Sequence, residues 1–578
     1  MPRVSGRSTN AANPAHQAWA GRLHALIAAH GPHDAPLRLV REAARKGRAA
    51  ELADVYDAVV AHGSGVRTAL GAFYTPRPLI DEILSQTLAP VLRAARRASD
   101  PSSAILSVRV CDPACGAGAF LVAAREMIAR TLVDAHGGVL EEARRTVAER
   151  CLFGIDIDRA ALALCAARLG IPRRNLRHAD ALRRCLGEWL GSFSVVVGNP
   201  PFLGQLRERT TRSRVDSQQL RTSFGNVVKA YTDPAWLFLL QAMMLASPGG
   251  RVSLVEPMSM LTAEGAAEVR RACVKLGSVV SLWSSTDRHF EANVYVCAPT
   301  LVRGTSKGKV KLRTGLPARA AGSVAASGDA WAGLLSGSMG VPIVRVKDCR
   351  TIGSIARATA DFRDQFYGVA AAAINDADER EGCPPIITSG LIEPARSLWG
   401  LRPTRISRRA MLHPRARLDL LSAELASWAA QRLKPKVLVA TQTPAIEAAV
   451  DEEGRWLPIT PVITVLPNDA KDLWLVAAAL MSPVALADAA TRFAGAALSP
   501  HAIKLSASQT MTLPIPSTLA AWRRGAAILR RIAGGENLWR EFGLAMLAAH
   551  HPTIDERLLA WWLRRIERST GQKPGVGT

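Results

Sequence analysis

Residues Val195-Val196-Val197-Gly198-Asn199-Pro200-Pro201-Phe202 place a β-branched run directly before a stiff loop. Two prolines fix φ and remove two N–H donors, so carbonyl oxygens dominate the loop, and the Asn199 side chain adds another. Such a turn suits an amine that is a poor nucleophile because its lone pair is delocalised into a ring, as in adenine. Two acceptors, the Asn199 side-chain oxygen and the Pro200 carbonyl, can hold the two amine hydrogens. The nitrogen then becomes more tetrahedral and its lone pair localises. It gains positive charge as it attacks an electrophilic methyl group, so fixed acceptors favour the transition state over the ground state. Phe202 offers a flat face for stacking a base. A proline-stiffened strand exit without chemistry is the plainer reading of Asn-Pro-Pro alone. The apolar strand before it and the glycine loop upstream argue for the chemical one.

That upstream loop is Asp112-Pro113-Ala114-Cys115-Gly116-Ala117-Gly118-Ala119-Phe120, after the apolar Val108–Cys111. Gly116 and Gly118 let the backbone bend sharply and a ligand approach closely. The third glycine of a dinucleotide fingerprint is missing, and Phe120 stands near its place. A nucleoside without phosphates, such as S-adenosylmethionine, is therefore expected rather than a pyrophosphate. Asp156 ends the next apolar run, where an acid accepts hydrogen bonds from ribose hydroxyls. Asp158 reads as a helix cap. Asp180, after a third run, can accept from the cofactor's adenine amine.

These loops need a sheet to carry them. From about Gly71 to Gly304 short β-type runs alternate with helical ones, the pattern of a parallel sheet covered by helices. Strands are expected over Ile105–Val110, Cys151–Ile155, Asn175–His178, Ser194–Val197 and Arg251–Val255. Asp158 should start the helix after the second strand and Gly170 should end it. Residues 1–66 read as a disordered tail and a helical region, and 67–305 as the catalytic domain. Residues 306–339, rich in Gly, Ala and Ser, read as a linker or insertion. A mixed α/β domain follows over 340–516, then a C-terminal helical region and tail over 517–578.

Lys and Arg outnumber Asp and Glu by 73 to 49, a formal net charge of +24. Such an excess favours a polyanionic partner, because each neutralised phosphate releases counterions. The nine cysteines have no zinc-binding spacing, so no metal is expected, and their scatter suits reduced thiols in a cytoplasm. No secretion signal and no apolar run of about 18 residues is found, so no membrane partner is expected.

These segments resemble the adenine-N6 DNA methyltransferases of the gamma arrangement and the restriction–modification type. There the cofactor motifs come first, the catalytic motif second and a target-recognition domain last. Gly71-Ala72-Phe73-Tyr74-Thr75-Pro76-Arg77-Pro78 is similar to the methionine-binding motif, which implies that Thr75 contacts the methionine part. Asp112 to Phe120 is similar to the cofactor loop. Tyr231-Thr232-Asp233 with Trp236 and Phe238, Gly249-Gly250-Arg251 and Glu256-Pro257 resemble later motifs of the same domain. Phe290-Glu291-Ala292-Asn293-Val294 resembles the motif that walls the flipped-base pocket, and Phe290 is carried over from it. Ser194 and Glu256 depart from the family pattern. The resemblance implies a Rossmann-like seven-stranded sheet with one antiparallel strand, and S-adenosylmethionine as cofactor. It also implies adenine methylation of double-stranded DNA with base flipping, in restriction–modification or phage defence. A separate restriction or defence nuclease is left open as a partner.

Lys434-Pro435-Lys436-Val437-Leu438-Val439, Asp451-Glu452-Glu453-Gly454 and Leu513-Pro514-Ile515-Pro516 resemble target-recognition domains more loosely. Arg402, Arg405, Arg408, Arg409, Arg415 and Arg417 form a run without an acid, and a second basic stretch spans Arg207–Arg221. Both could contact phosphates, which fix position and affinity rather than sequence choice. Alternative readings are an RNA adenine methyltransferase, a protein-glutamine methyltransferase or an inactive DNA-binding scaffold. Length and charge speak against the glutamine enzymes, and the intact Asn199–Phe202 turn speaks against the scaffold.

Overall fold

The computed structural model describes residues 75–571 except 184–185, 203–213, 230–231, 286, 288–294, 326–327, 329–330, 343, 345–349, 361–362, 494–501 and 551–554. The expected N-terminal helical region, residues 71–74 of the first motif, Tyr231, Phe290 and the first half of the Arg207–Arg221 stretch lie outside the described residues. The chain divides into two compact units, residues 1–334 and 335–578.

In the first unit the strands are β1 (Val110–Asp112), β2 (Leu152–Asp156), β3 (Leu176–His178), β4 (Phe193–Gly198) and β5 (Ala246–Leu254). They are followed by β6 (Glu256–Pro257), β7 (Gly277–Ser284), β8 (Val296–Arg303), β9 (Lys309–Thr314) and β10 (Arg319–Ala325). The spatial order is β10-β9-β7-β8-β5-β4-β1-β2-β3, with β6 paired to β8. β1 to β5 run parallel to one another, and β8 runs antiparallel to both β5 and β7. The order reverses between β1 and β4, where each strand sends its following connection to opposite sides. Central strands are covered on both faces and so read as continuous apolar runs: Val195, Val196 and Val197 are all fully buried.

Local chemistry sets the element ends. Asp158 accepts from the backbone N–H groups of Ala160 and Ala161 and starts the helix Arg159–Leu169, and Gly170 at φ 70° ends it. β1 begins at Val110 rather than at Ile105. Asp100 caps a short helix, Pro101–Leu106, by accepting from Ser103 N, and that helix takes up the apolar Ile105.

Residues 306–339, expected as a linker or insertion, carry β9 and β10, which extend the seven-stranded core of the sheet at its β7 edge. Val310 and Leu312 point inward and are buried while their lysine neighbours are exposed, the alternation of a half-covered strand. Arg313 on β9 pairs with the buried Glu82 of the helix Arg77–Gln86, with a second contact at 2.9 Å. Trp283 Nε1 donates to the Gly315 carbonyl at 2.9 Å.

The second unit holds an antiparallel sheet of four strands, in the order Ala356–Ala360, Val462–Pro467, Lys436–Ala440, Ala448–Asp451. Its central strand contains Lys436, fully buried and ion-paired with Asp451 directly opposite. Asp451 also accepts from the backbone N–H groups of Arg455 at 3.1 Å and Trp456 at 2.9 Å. A buried charge pair needs that further satisfaction to offset desolvation. Leu513 and Ile515 bond back to Ile352 and Arg350 at 2.9 and 3.0 Å, so this segment closes onto the unit's first residues. The helices Leu519–Ala533, Trp539–His550 and Glu556–Thr570, set apart in the sequence reading, share one hydrophobic core with the sheet and with the helices Leu473–Leu480 and Pro483–Phe493. Among the described residues no single helix is long and apolar enough to cross a membrane.

Candidate active site

The glycine loop follows β1 and the Asn-Pro-Pro turn follows β4, and these strands are hydrogen-bonded neighbours: Val110 pairs with Val195 and Cys111 with Val196. Parallel register therefore brings both loops to the same end of the sheet. The approach is close enough to dictate a glycine. A Cβ at Gly198 would stand 2.5 Å from Asp112 Oδ1, which no side chain tolerates. Asp112 is 2% exposed, and its Oδ1 accepts from Ala114 N at 3.0 Å, bracing the start of the loop.

The two loop glycines do different work. Gly118 has φ 91°, and a Cβ there would meet Cys165 Sγ at 2.8 Å, so it lets the loop lie against the helix Arg159–Leu169. Gly116, at φ 51°, faces open space, with nothing within 4 Å of a Cβ. Its N–H donates to Asp156 Oδ2 at 2.7 Å, while Asp158 N donates to Asp156 Oδ1 at 2.8 Å. Asp156 thus ties the end of β2 to the loop after β1, and each carboxylate oxygen keeps further acceptor capacity. Phe120 is 2% exposed and belongs to the domain core rather than to the loop surface.

Burial pushes the Asp112 carboxyl up to about 8, with the neighbouring Asp156 adding to the rise. Burial also lifts Asp156 to about 6, against the backbone N–H donors of Asp158, Gly116 and Ile157 that pull it down. Two acids at adjacent strand ends, beside a glycine open to solvent, fit a ligand that brings hydroxyl donors and positive charge. S-adenosylmethionine has both. Asp180 follows β3 and is partly exposed; Oδ1 accepts from Leu182 N at 2.9 Å and Oδ2 meets Arg183 Nε at 3.1 Å. Ala179 N donates to the Asp156 carbonyl at 3.0 Å, so the β3 loop lies next to the Asp156 loop.

Asn199 is half-buried, and its Nδ2 donates to Thr75 Oγ1 at 3.0 Å. The amide orientation follows from that bond: its N–H end faces Thr75 and Oδ1 is the opposite end. Thr75 is 6% exposed and directly precedes Pro76, which caps the helix Arg77–Gln86. The sequence reading gave Thr75 to the cofactor and missed this bond, which no local pattern signals. Pro200 is buried and Pro201 half-buried. Phe202 is 1% exposed and sits in the same core as Phe120 and Val195. Its ring is therefore inside the domain here, not displayed as a stacking face.

A further group lies beside the turn. Val255 N donates to the Gly198 carbonyl at 3.0 Å, and Glu256 comes next, paired with Cys297 across β6 and β8. Glu256 is 0% exposed, and neither carboxyl oxygen has a hydrogen-bond partner among the described residues. Burial, aided by Asp233, pushes its carboxyl well above the usual range, which favours the neutral acid. Asp233 itself caps the helix Pro234–Leu245 by accepting from Ala235 N.

Residues 48–310 match the family model described as N-6 DNA Methylase. The methylase subunit of the type I restriction enzyme EcoEI from Escherichia coli is 25% identical over 217 residues, 37% of this chain and 37% of that protein. The chain thus spans little over a third of that relative's length. The structure of the type IIL restriction–modification enzyme MmeI in complex with DNA superposes with a TM-score of 0.57 at 15% identity, covering 92% of this chain and 79% of that one. This likeness is one of fold, and it extends over both units. The modification subunit of a putative type I restriction enzyme from Vibrio vulnificus YJ016 is 21% identical, with a TM-score of 0.34 over 46% of this chain and 52% of that one.

Proposed function

We propose, from the match of residues 48–310 to the N-6 DNA Methylase family model, that the chain methylates the N6 amine of adenine in specific sequences of duplex DNA. The methyl donor is S-adenosylmethionine, and the setting is restriction–modification or phage defence. The observation that carries this reading is the meeting of two loops at one sheet end, with Asn199 oriented by Thr75 beside the Asp112–Asp156 loop pair.

Asp156 would hold the ribose hydroxyls of the cofactor, Asp180 its adenine amine, and the open Gly116 face would admit the nucleoside. When bound, the cofactor supplies a sulfonium methyl group. Asn199 Oδ1 and the Pro200 carbonyl hold the two hydrogens of the target amine and raise the electron density on its nitrogen. As positive charge develops there, these fixed dipoles stabilise it without reorganising. No strong base is needed before transfer, because the proton is acidic only after the nitrogen has become cationic. Adenine must leave the duplex to reach the turn, which accounts for base flipping. Phe202 would have to swing from the core to stack on the flipped base.

The test is to sequence DNA for modified adenine in cells with and without this gene expressed. N6-methyladenine in a defined sequence context, present only with expression, supports the reading. Unmodified DNA alongside methylated RNA or protein overturns it.

A further inference from the structure

The six arginines between residues 402 and 417 are not equivalent. Arg402 pairs with Glu393 at 2.6 Å, and Arg417 pairs with Asp419. Arg415 is 5% exposed and donates to the carbonyls of Asp376 and Cys383, both at 3.0 Å. Arg409 reaches the carbonyls of Ala370 and Ala373 at 3.4 and 3.3 Å. Arg405 and Arg408 are exposed, and among the described residues neither has an ion-pair or hydrogen-bond partner for its guanidinium.

Both lie on one hairpin. Strands Thr404–Ile406 and Arg409–Met411 pair antiparallel, Thr404 with Met411, Arg405 with Ala410 and Ile406 with Arg409. Ile406 and Met411 face inward and anchor the hairpin in a core with Ile386 and Leu457. Arg405 faces outward opposite the small Ala410, and Arg408 is at the tip. The two-residue tip has positive φ at both positions, 46° at Ser407 and 67° at Arg408. Such a turn favours Asn-Gly. Among the described residues three non-glycine residues have positive φ, and this tip holds two of them. An arginine thus stands, unpaired and at positive φ, where a turn former would be easier, so the tip is costlier to fold than an Asn-Gly turn and presents a guanidinium outward.

We propose that this hairpin enters the major groove of duplex DNA, with Arg408 donating to a guanine edge and Arg405 to a backbone phosphate. A two-stranded ribbon fits a groove about 12 Å wide, and the guanidinium fork matches guanine O6 and N7. The inference rests on the adenine-methylation reading for its biological setting, and assigns that reading a specificity-determining residue.

The experiment is selection of bound duplexes from a randomised DNA library by the full chain, read without reference to methylation. Arg408→Asn is the key variant, since Asn tolerates positive φ and the turn should melt no lower than wild type. The expected result is a selected site with a guanine that becomes degenerate at that position in R408N, with about a ten- to hundredfold loss of affinity for the original site. Arg405→Ala should keep the site, weaken all sequences alike and lower the salt slope by about one. The proposal is overturned if R408N selects the same site, if it weakens all duplexes uniformly, or if wild type enriches no duplex sequence. Methyl transfer to the selected site is scored separately. A guanine-dependent site without adenine methylation keeps the hairpin and removes the reaction; methylation with an R408N-insensitive site does the reverse.

Discussion

Thr75 Oγ1 accepts the amide N–H of Asn199 at 3.0 Å across 124 residues of sequence, and this bond fixes which end of the amide faces substrate. Replacing Thr75 with Val keeps the shape and removes the acceptor. Turnover is expected to fall roughly ten- to a hundredfold, the cost of one misplaced buried hydrogen bond, with cofactor affinity little changed. Thr75→Ser should restore most of the loss. A variant that loses cofactor affinity instead would return Thr75 to the methionine-contact role expected from its motif.

Asp156 links the glycine loop to β2 through Gly116 N at 2.7 Å. Its carboxyl titrates near 6, so it is ionised and a good acceptor above that pH and loses acceptor capacity below it. Cofactor affinity measured by calorimetry should fall as pH drops through about 6. Asp156→Asn should bind more weakly, by roughly tenfold, and lack this step.

Burial raises the Glu256 carboxyl and favours its neutral form, while in the unfolded chain it ionises above about 4.5. A raised folded value means that its contribution to stability is fully present below that pH and is lost as pH rises toward the folded value. Glu256→Gln carries no such proton. In denaturant titrations its stability relative to wild type should therefore increase with pH above 4.5, by about 1.4 kcal/mol per unit within that window. Equal pH slopes for the two proteins would contradict a neutral buried Glu256.

The Arg313–Glu82 pair ties β9 to the helix that carries Thr75 at its start. Glu82→Ala should destabilise the first unit by about 1–3 kcal/mol, because it leaves a half-buried guanidinium without its carboxylate, with only the Ala318 carbonyl at 3.4 Å as acceptor. A thermal melt shows this directly. An unchanged melting temperature would mean that β9 is attached by its strand pairing alone.

The parts legible in the sequence are those whose chemistry is local. Gly116, Gly118, Asp158 and Gly170 announce a loop, a cap and a stop by residue type. The Val195–Val197 run announces a central strand because it is covered on both faces. Ile105 lies in a helix rather than in a strand because Asp100-Pro101 starts a helix within the apolar run. Residues 309–314 alternate lysine or arginine with apolar residues, a strand signal obscured by the Gly- and Ser-rich sequence on either side. The Thr75–Asn199 bond, the unpartnered Glu256 and the sorting of the six arginines depend on distant partners and leave no mark on local composition. Phe202 follows the same rule: its aromatic type suggested stacking, while its position inside the core is a property of the fold.

The central claim is that Asn199 acts on the amine and not on the cofactor. Purified wild type and Asn199→Ala should be compared for binding of S-adenosylmethionine and for transfer of its labelled methyl group to duplex DNA. Similar cofactor affinity and a loss of transfer of about a hundredfold or more are expected. Near wild-type transfer by the alanine variant would contradict it.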